Sequence, residues 1–132
     1  MSLAQWGNQM TGVSRVLVVE DQILILLDLV EQLRDFGIEA VPLTSAVGAA
    51  AAISRGGIDA LMTDIELPGG VTGLELAREC ADIRPDLPIV VVSGGVTPGP
   101  KDLPSGAVFM SKPYSLQSVV DALNRNAHPK AA

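Results

Sequence analysis

Aromatic residues make up only 3% of this 132-residue chain and are confined to Trp6, Phe36, Phe109 and Tyr114. Any core built from it must be aliphatic. Cysteine occurs once, at Cys80, which excludes an internal disulfide and a multi-cysteine metal site. Histidine also occurs once, at His128, so no histidine cluster for zinc exists. Basic residues are outnumbered, 9 against 15 acids, for a net charge of -6. A phosphate backbone needs clustered Lys and Arg, so direct nucleic-acid binding is not expected. No apolar run reaches the roughly 18 residues of a membrane span. The first ten residues lack the basic start and apolar stretch of a secretory signal. A soluble, cytoplasmic domain is the expectation.

What the chain does have is aliphatic. Hydrophobic residues make up 48%, enough to bury one core. Residues 1–14 and 126–132 show no period and read as tails around one domain over 15–125. Inside it, short apolar runs alternate with helical patterns. The runs at 16–19, 60–63 and 89–92 suit strands buried on both faces. Weaker strands are expected at 38–41, ending before Pro42, and at 107–110. A helix over 22–36 places Ile23, Leu26, Leu27, Leu29, Val30 and Leu33 on one broad face, with Leu24 outside it beside Asp28, Glu31 and Asp35. A second, Ala-rich helix over 44–55 stops at Gly56-Gly57. Thr72 and Glu75 form a capping box for a third helix running to about Ile83, where Cys80 reads as a small buried hydrophobe. Ser115 caps a last helix.

Such alternation specifies an α/β fold with a parallel sheet. The expected form is flavodoxin-like: a doubly wound, five-stranded sheet in the order 2-1-3-4-5. Residues 94–106 break the rhythm. They hold three prolines and four glycines, which oppose a helix at about 3 and 1 kcal/mol apiece. The fourth helix is therefore expected to be shortened or absent.

In this fold, sites lie at the carboxyl ends of the strands. There stand Glu20 and Asp21, then Asp64, then Ser93, then Lys112. Taken singly, an acid after a strand is an ordinary helix cap. Together, three carboxylates, a hydroxyl and a lysine make a site. Two carboxylates about 4 Å apart repel by about 4 kcal/mol at an effective dielectric of 20, so three of them raise one another's pKa values or recruit a cation. Oxygen ligands suit Mg²⁺. Lys112 offers a point charge for phosphate, and Ser93 a hydrogen-bond donor. A carboxylate nucleophile accepting a phosphoryl group fits this set. Neither a Gly-x-Gly-x-x-Gly fingerprint after the first strand nor a P-loop is present. The acid pair Asp64-Ile65-Glu66 follows the third strand rather than the first, and no cap domain exists, which argues against a haloacid-dehalogenase-type phosphatase.

The chain resembles the receiver domains of two-component response regulators (CheY-like) over about residues 15–125. Val16-Leu17-Val18-Val19-Glu20-Asp21, Thr63-Asp64-Ile65-Glu66-Leu67-Pro68-Gly69, Gly73-Leu74-Glu75, Val92-Ser93-Gly94 and Ser111-Lys112-Pro113-Tyr114 carry the resemblance. It implies that Asp64 is the phospho-acceptor. Glu20, Asp21, Asp64 and the backbone carbonyl of Glu66 would hold Mg²⁺. Ser93 would be the switch hydroxyl, Lys112 the lysine paired with Asp64, and Phe109 the switch aromatic. The Lys112–Pro113 bond would be cis. The implied donor is a sensor histidine kinase or a histidine phosphotransferase, with an unknown downstream protein as receiver of the signal. The implied role is a phosphorelay signalling domain with no output domain after it, catalysing only its own phosphorylation and dephosphorylation. A non-phosphorylated interaction module of the same fold is the alternative. Two departures stand out: Glu20 in place of the commoner Asp, and the segment 94–106, which predicts an altered output surface, the loop itself or the first helix. The Glu66 side chain is expected either to reach the phosphoryl approach path or to face solvent.

Overall fold

A computed structural model describes residues 12–127. Trp6 and His128 lie outside the described residues, with most of the two expected tails. The elements run β1 (Arg15–Val19), α1 (Ile23–Asp35), β2 (Glu39–Leu43), α2 (Ala49–Arg55), β3 (Ala60–Asp64), α3 (Gly73–Ile83), β4 (Ile89–Ser93), β5 (Val108–Ser111) and α4 (Leu116–Ala127). The five strands form one parallel sheet in the order β2-β1-β3-β4-β5, as expected.

The period-2 geometry of a strand splits its side chains between two layers. Val16 and Val18 point to one face, where Leu26, Leu29 and Leu33 of α1 and Val119, Val120 and Leu123 of α4 cover them. Leu17 and Val19 point to the other, against Ile53 of α2 and Leu76, Ala77 and Cys80 of α3. Each fully buried aliphatic side chain contributes about 1.5–3 kcal/mol. Both layers are aliphatic, with Phe36 and Tyr114 at the margin of the first and Phe109 at the margin of the second.

Three local differences from the sequence pattern have simple causes. β2 passes through Pro42 instead of stopping before it. The Glu39 N–H donates to Ser14 O and Leu43 O accepts from the Glu20 N–H, so 39, 41 and 43 face β1 and Pro42 faces the open edge, where no donor is needed. The second helix begins only at Ala49, because Gly48 has φ +83°, outside the helical region. Val13, inside the expected amino-terminal tail, is buried and donates its N–H to Asn124 Oδ1 at 2.8 Å.

Among the described residues no helix lies between β4 and β5. The segment is held by turns instead: Gly99 N–H donates to Asp102 Oδ2 at 2.7 Å, and Ala107 N–H to Pro104 O at 3.1 Å. Arg78 of α3 reaches across to Asp102 O at 2.7 Å. Leu103 and Ala107 pack onto the α2/α3 layer, so one leucine and a loop serve where a helix would lie.

Candidate functional site

The carboxyl edge of the sheet gathers the expected groups. β1 ends one residue before Glu20, a buried carboxylate whose Oε2 accepts from Gln22 N–H at 3.0 Å. Asp21 follows it and is exposed. Asp64 is the last residue of β3 and is 4% exposed. Thr63 beneath it is buried, its hydroxyl donating to Asp64 O at 2.9 Å. Carboxylate oxygens of Glu20, Asp21 and Asp64 all lie within 4.8 Å of one another.

Lys112 follows β5 and answers part of that negative charge. Its Nζ is 2.7 Å from Asp64 Oδ2 and 3.5 Å from Glu20 Oε1. The Lys112 N–H donates to Ser93 O at 2.9 Å, which fixes the lysine backbone to the end of β4. The Lys112–Pro113 bond is cis, as the resemblance implies. Burial raises the Asp64 pKa to about 6; the hydrogen bond from Lys112 opposes the rise, and the Glu66 carboxylate adds to it. Burial pulls Lys112 down, but its hydrogen bond and attraction to Asp64 outweigh that and leave it raised.

Asp64 Oδ1 is buried and has no hydrogen-bond partner. An ionised oxygen so placed is costly, and a cation is the partner that would remove the cost. With Glu20 and Asp21 alongside, the donor set is all oxygen and fits a hard divalent ion such as Mg²⁺.

A feature not legible from sequence involves Glu66. Its residue is exposed, but its carboxylate is not idle: Ser93 Oγ donates to Glu66 Oε1 at 2.6 Å. That bond, first among the causes, lowers the Glu66 pKa. Ser93 itself is 1% exposed and also accepts from Gly95 N–H at 3.2 Å and Val96 N–H at 2.9 Å. The hydrogen bonds of the hydroxyl thus run to Glu66, Gly95 and Val96 and not to the Asp64–Lys112 pair. Phe109 lies on β5 opposite Val91, half-buried against the α2/α3 layer.

Gly73 is the second feature that sequence spacing did not explain. α3 starts so close to the end of β3 that a Cβ at Gly73 would stand 1.8 Å from Asp64 O. The Gly73 N–H donates to Ile65 O at 2.8 Å, which holds the close approach. Thr72 caps the helix by accepting Glu75 N–H at 3.1 Å.

Beside the site, α1 exposes Ile23, Leu24 and Leu27, with Leu24 at 79%. The helix buries a narrower face than its pattern suggests, since only Leu26, Leu29 and Leu33 are buried in it. Leu27 lies three residues from Leu24 and four from Ile23, so it joins both in a separate apolar strip at the amino end of the helix.

Residues 16–124 match the family model described as "Response regulator receiver domain". The chain is similar to the response regulator receiver protein CpdR of Brucella abortus (strain 2308), at 31% identity over 84% of this chain and 94% of that protein. It is also similar to nodulation protein W of Bradyrhizobium diazoefficiens, at 32% identity over 82% of this chain; the match spans about half (48%) of that longer protein. Among solved structures, a response regulator receiver protein from Sinorhizobium medicae WSM419 superposes with a TM-score of 0.75 and 24% identity, covering 87% of this chain and 94% of that one.

Proposed function

We propose, from the premise that this chain belongs to the response regulator receiver domain family, that it accepts a phosphoryl group on Asp64 in a Mg²⁺-dependent reaction and signals by protein contacts. Receiver domains are signalling domains of two-component systems, and the chemistry assigned to this one is limited to its own phosphorylation and dephosphorylation. One observation carries the reading. Asp64 has one oxygen on Lys112 and the other buried without a partner, beside two further carboxylates.

Transfer from a phosphohistidine breaks the N–P bond and forms an O–P bond to an Asp64 carboxylate oxygen. The electron pair of the broken bond returns to the imidazole, which takes up a proton. Lys112 holds Asp64 in place beforehand and then sits beside the added phosphate charge, about -1.5 to -2. The Ser93 hydroxyl donates to a phosphoryl oxygen once the group has arrived. Glu20, Asp21 and Asp64, with the Glu66 backbone carbonyl, would hold the Mg²⁺, whose charge offsets that of the phosphoryl oxygens. Phe109 shifts with Ser93 and carries the change to the surface.

A sensor histidine kinase or a histidine phosphotransferase is the donor, and an unidentified protein takes the signal. The reaction belongs in the cytoplasm; among the described residues no helix is long and apolar enough to cross a membrane. The output surface is the loop between β4 and β5 or the exposed strip of α1, since no helix stands between those two strands among the described residues.

The test is incubation with a small phosphodonor and Mg²⁺, followed by intact mass. An acid-labile adduct of one phosphoryl group on the parent chain, absent from Asp64→Asn, is expected. No adduct on the parent would favour the interaction-module reading.

A further inference from the structure

We propose that the Glu66 carboxylate is a latch on Ser93: it holds the hydroxyl in its resting orientation, and phosphoryl binding at Asp64 must displace it. The inference rests on the phospho-acceptor reading of Asp64 and assigns a positioning role to a side chain outside the metal-holding carboxylates.

The argument is one of proton counting. A serine hydroxyl has one proton to donate and two lone pairs to accept with. In this structure all three are engaged. The proton goes to Glu66 Oε1 at 2.6 Å, and the lone pairs take Gly95 N–H at 3.2 Å and Val96 N–H at 2.9 Å. Ser93 cannot donate to a phosphoryl oxygen and to Glu66 at once. The two partners are therefore exclusive, and whatever binds the proton in the resting state opposes the switched state by the same free energy. Charge-assisted bonds of this kind are short and stronger than neutral ones.

Gly95 lies beside this contact: a Cβ there would stand 3.4 Å from Glu66 Oε1, about van der Waals distance. Gly95 and Val96 are also the first turn of the segment that runs to β5 without a helix. When Ser93 turns away from Glu66, those two N–H groups lose an oriented acceptor. The same residue thus links the phosphoryl site to the loop.

Two substitutions separate the latch from simple charge repulsion. Glu66→Ala removes both the acceptor and the charge. Glu66→Gln removes the charge and keeps a side-chain oxygen for Ser93. The readouts are the affinity for beryllofluoride, a phosphoryl mimic, with Mg²⁺, and amide exchange at Gly95 and Val96 in the unmodified protein. Glu66→Ala is expected to tighten beryllofluoride binding by about threefold to tenfold, of the order of 1 kcal/mol, and Glu66→Gln by clearly less. Amide exchange at Gly95 and Val96 should quicken in Glu66→Ala and stay near the parent rate in Glu66→Gln. In a Ser93→Ala background the effect of Glu66→Ala on affinity should vanish. Equal tightening by both variants, persistence of the effect without Ser93, or unchanged amide exchange in Glu66→Ala would overturn the latch. A parent chain that binds no beryllofluoride would count against the phospho-acceptor reading instead, and the amide exchange would still decide whether Glu66 holds Ser93.

Discussion

Lys112 Nζ lies 2.7 Å from Asp64 Oδ2, while the second oxygen of the same carboxylate is buried with no hydrogen-bond partner. The asymmetry defines what each group can do. The lysine orients the nucleophile from one side and leaves the other side for a cation.

Removing the lysine tests the first half of that arrangement. Lys112→Met is expected to slow phosphorylation by a small phosphodonor by about 10²-fold, the scale for loss of one electrostatic stabiliser at a reacting centre. The rate of adduct formation by intact mass reads it. The sheet should stay folded, because Lys112 follows β5 and is not part of either core layer.

The pH dependence of stability follows from Asp64. Burial raises its folded-state pKa to about 6, above the ordinary value of 3.8. Between those two values the folded state binds more protons than the unfolded state, so stability falls as pH rises through that window. Ionised Asp64 is thus a cost at neutral pH without a cation, of order 1–3 kcal/mol. In EDTA, Asp64→Asn is expected to be more stable than the parent at pH 7.5, and the difference should shrink toward pH 4. Urea unfolding at a series of pH values measures it. A parent that gains stability from pH 4 to pH 7, relative to Asp64→Asn, would contradict the assignment.

Gly73 offers a case where local propensity and tertiary structure disagree in sign. Alanine is the better helix former by about 1 kcal/mol. At this position its Cβ would stand 1.8 Å from Asp64 O, against backbone that has little freedom to move. Gly73→Ala is expected to destabilise by roughly 1–3 kcal/mol and to slow phosphorylation as well, since the strain falls on the acceptor residue. Chemical denaturation and the phosphodonor assay check the two effects.

Neighbouring leucines on α1 should behave oppositely. Leu26 is buried in the layer that α1 and α4 form on the sheet, and Leu24 is 79% exposed. Leu26→Ala should cost about 2–5 kcal/mol. Leu24→Asp should leave stability within about 0.5 kcal/mol and, if the strip meets the phosphodonor protein, slow transfer from that protein but not from a small phosphodonor. Thermal melts separate the first pair of effects, and paired transfer assays the second.

Much of the fold was legible because its signals are local. Valine-rich runs at 16–19 and 89–92 mark strands whatever surrounds them, and Thr72 with Glu75 marks a helix start within four residues. The prolines and glycines of 94–106 likewise opposed a regular helix on backbone grounds alone, which left it shortened or absent. The boundaries that moved did so for non-local reasons. Pro42 is tolerated because β2 is an edge strand and the ring faces outward. Ile23 and Leu27 are exposed although their helical pattern resembles a buried face, because the sheet covers only the line through Leu26, Leu29 and Leu33.

By itself, then, the amino-acid order determined the element types, the parallel sheet and the set of groups at its carboxyl edge. Periodicity, capping and right-handed crossovers act over short stretches of chain and place Glu20, Asp21, Asp64, Ser93 and Lys112 on one rim. Only the tertiary structure decided how those groups are paired. Glu66 and Ser93 are 27 residues apart, and Asp64 and Lys112 are 48 apart. A difference of an ångström in packing decides which carboxylate takes the hydroxyl and which oxygen is left without a partner. That distance is set by how α3 and the loop seat on the sheet, and no local pattern encodes it.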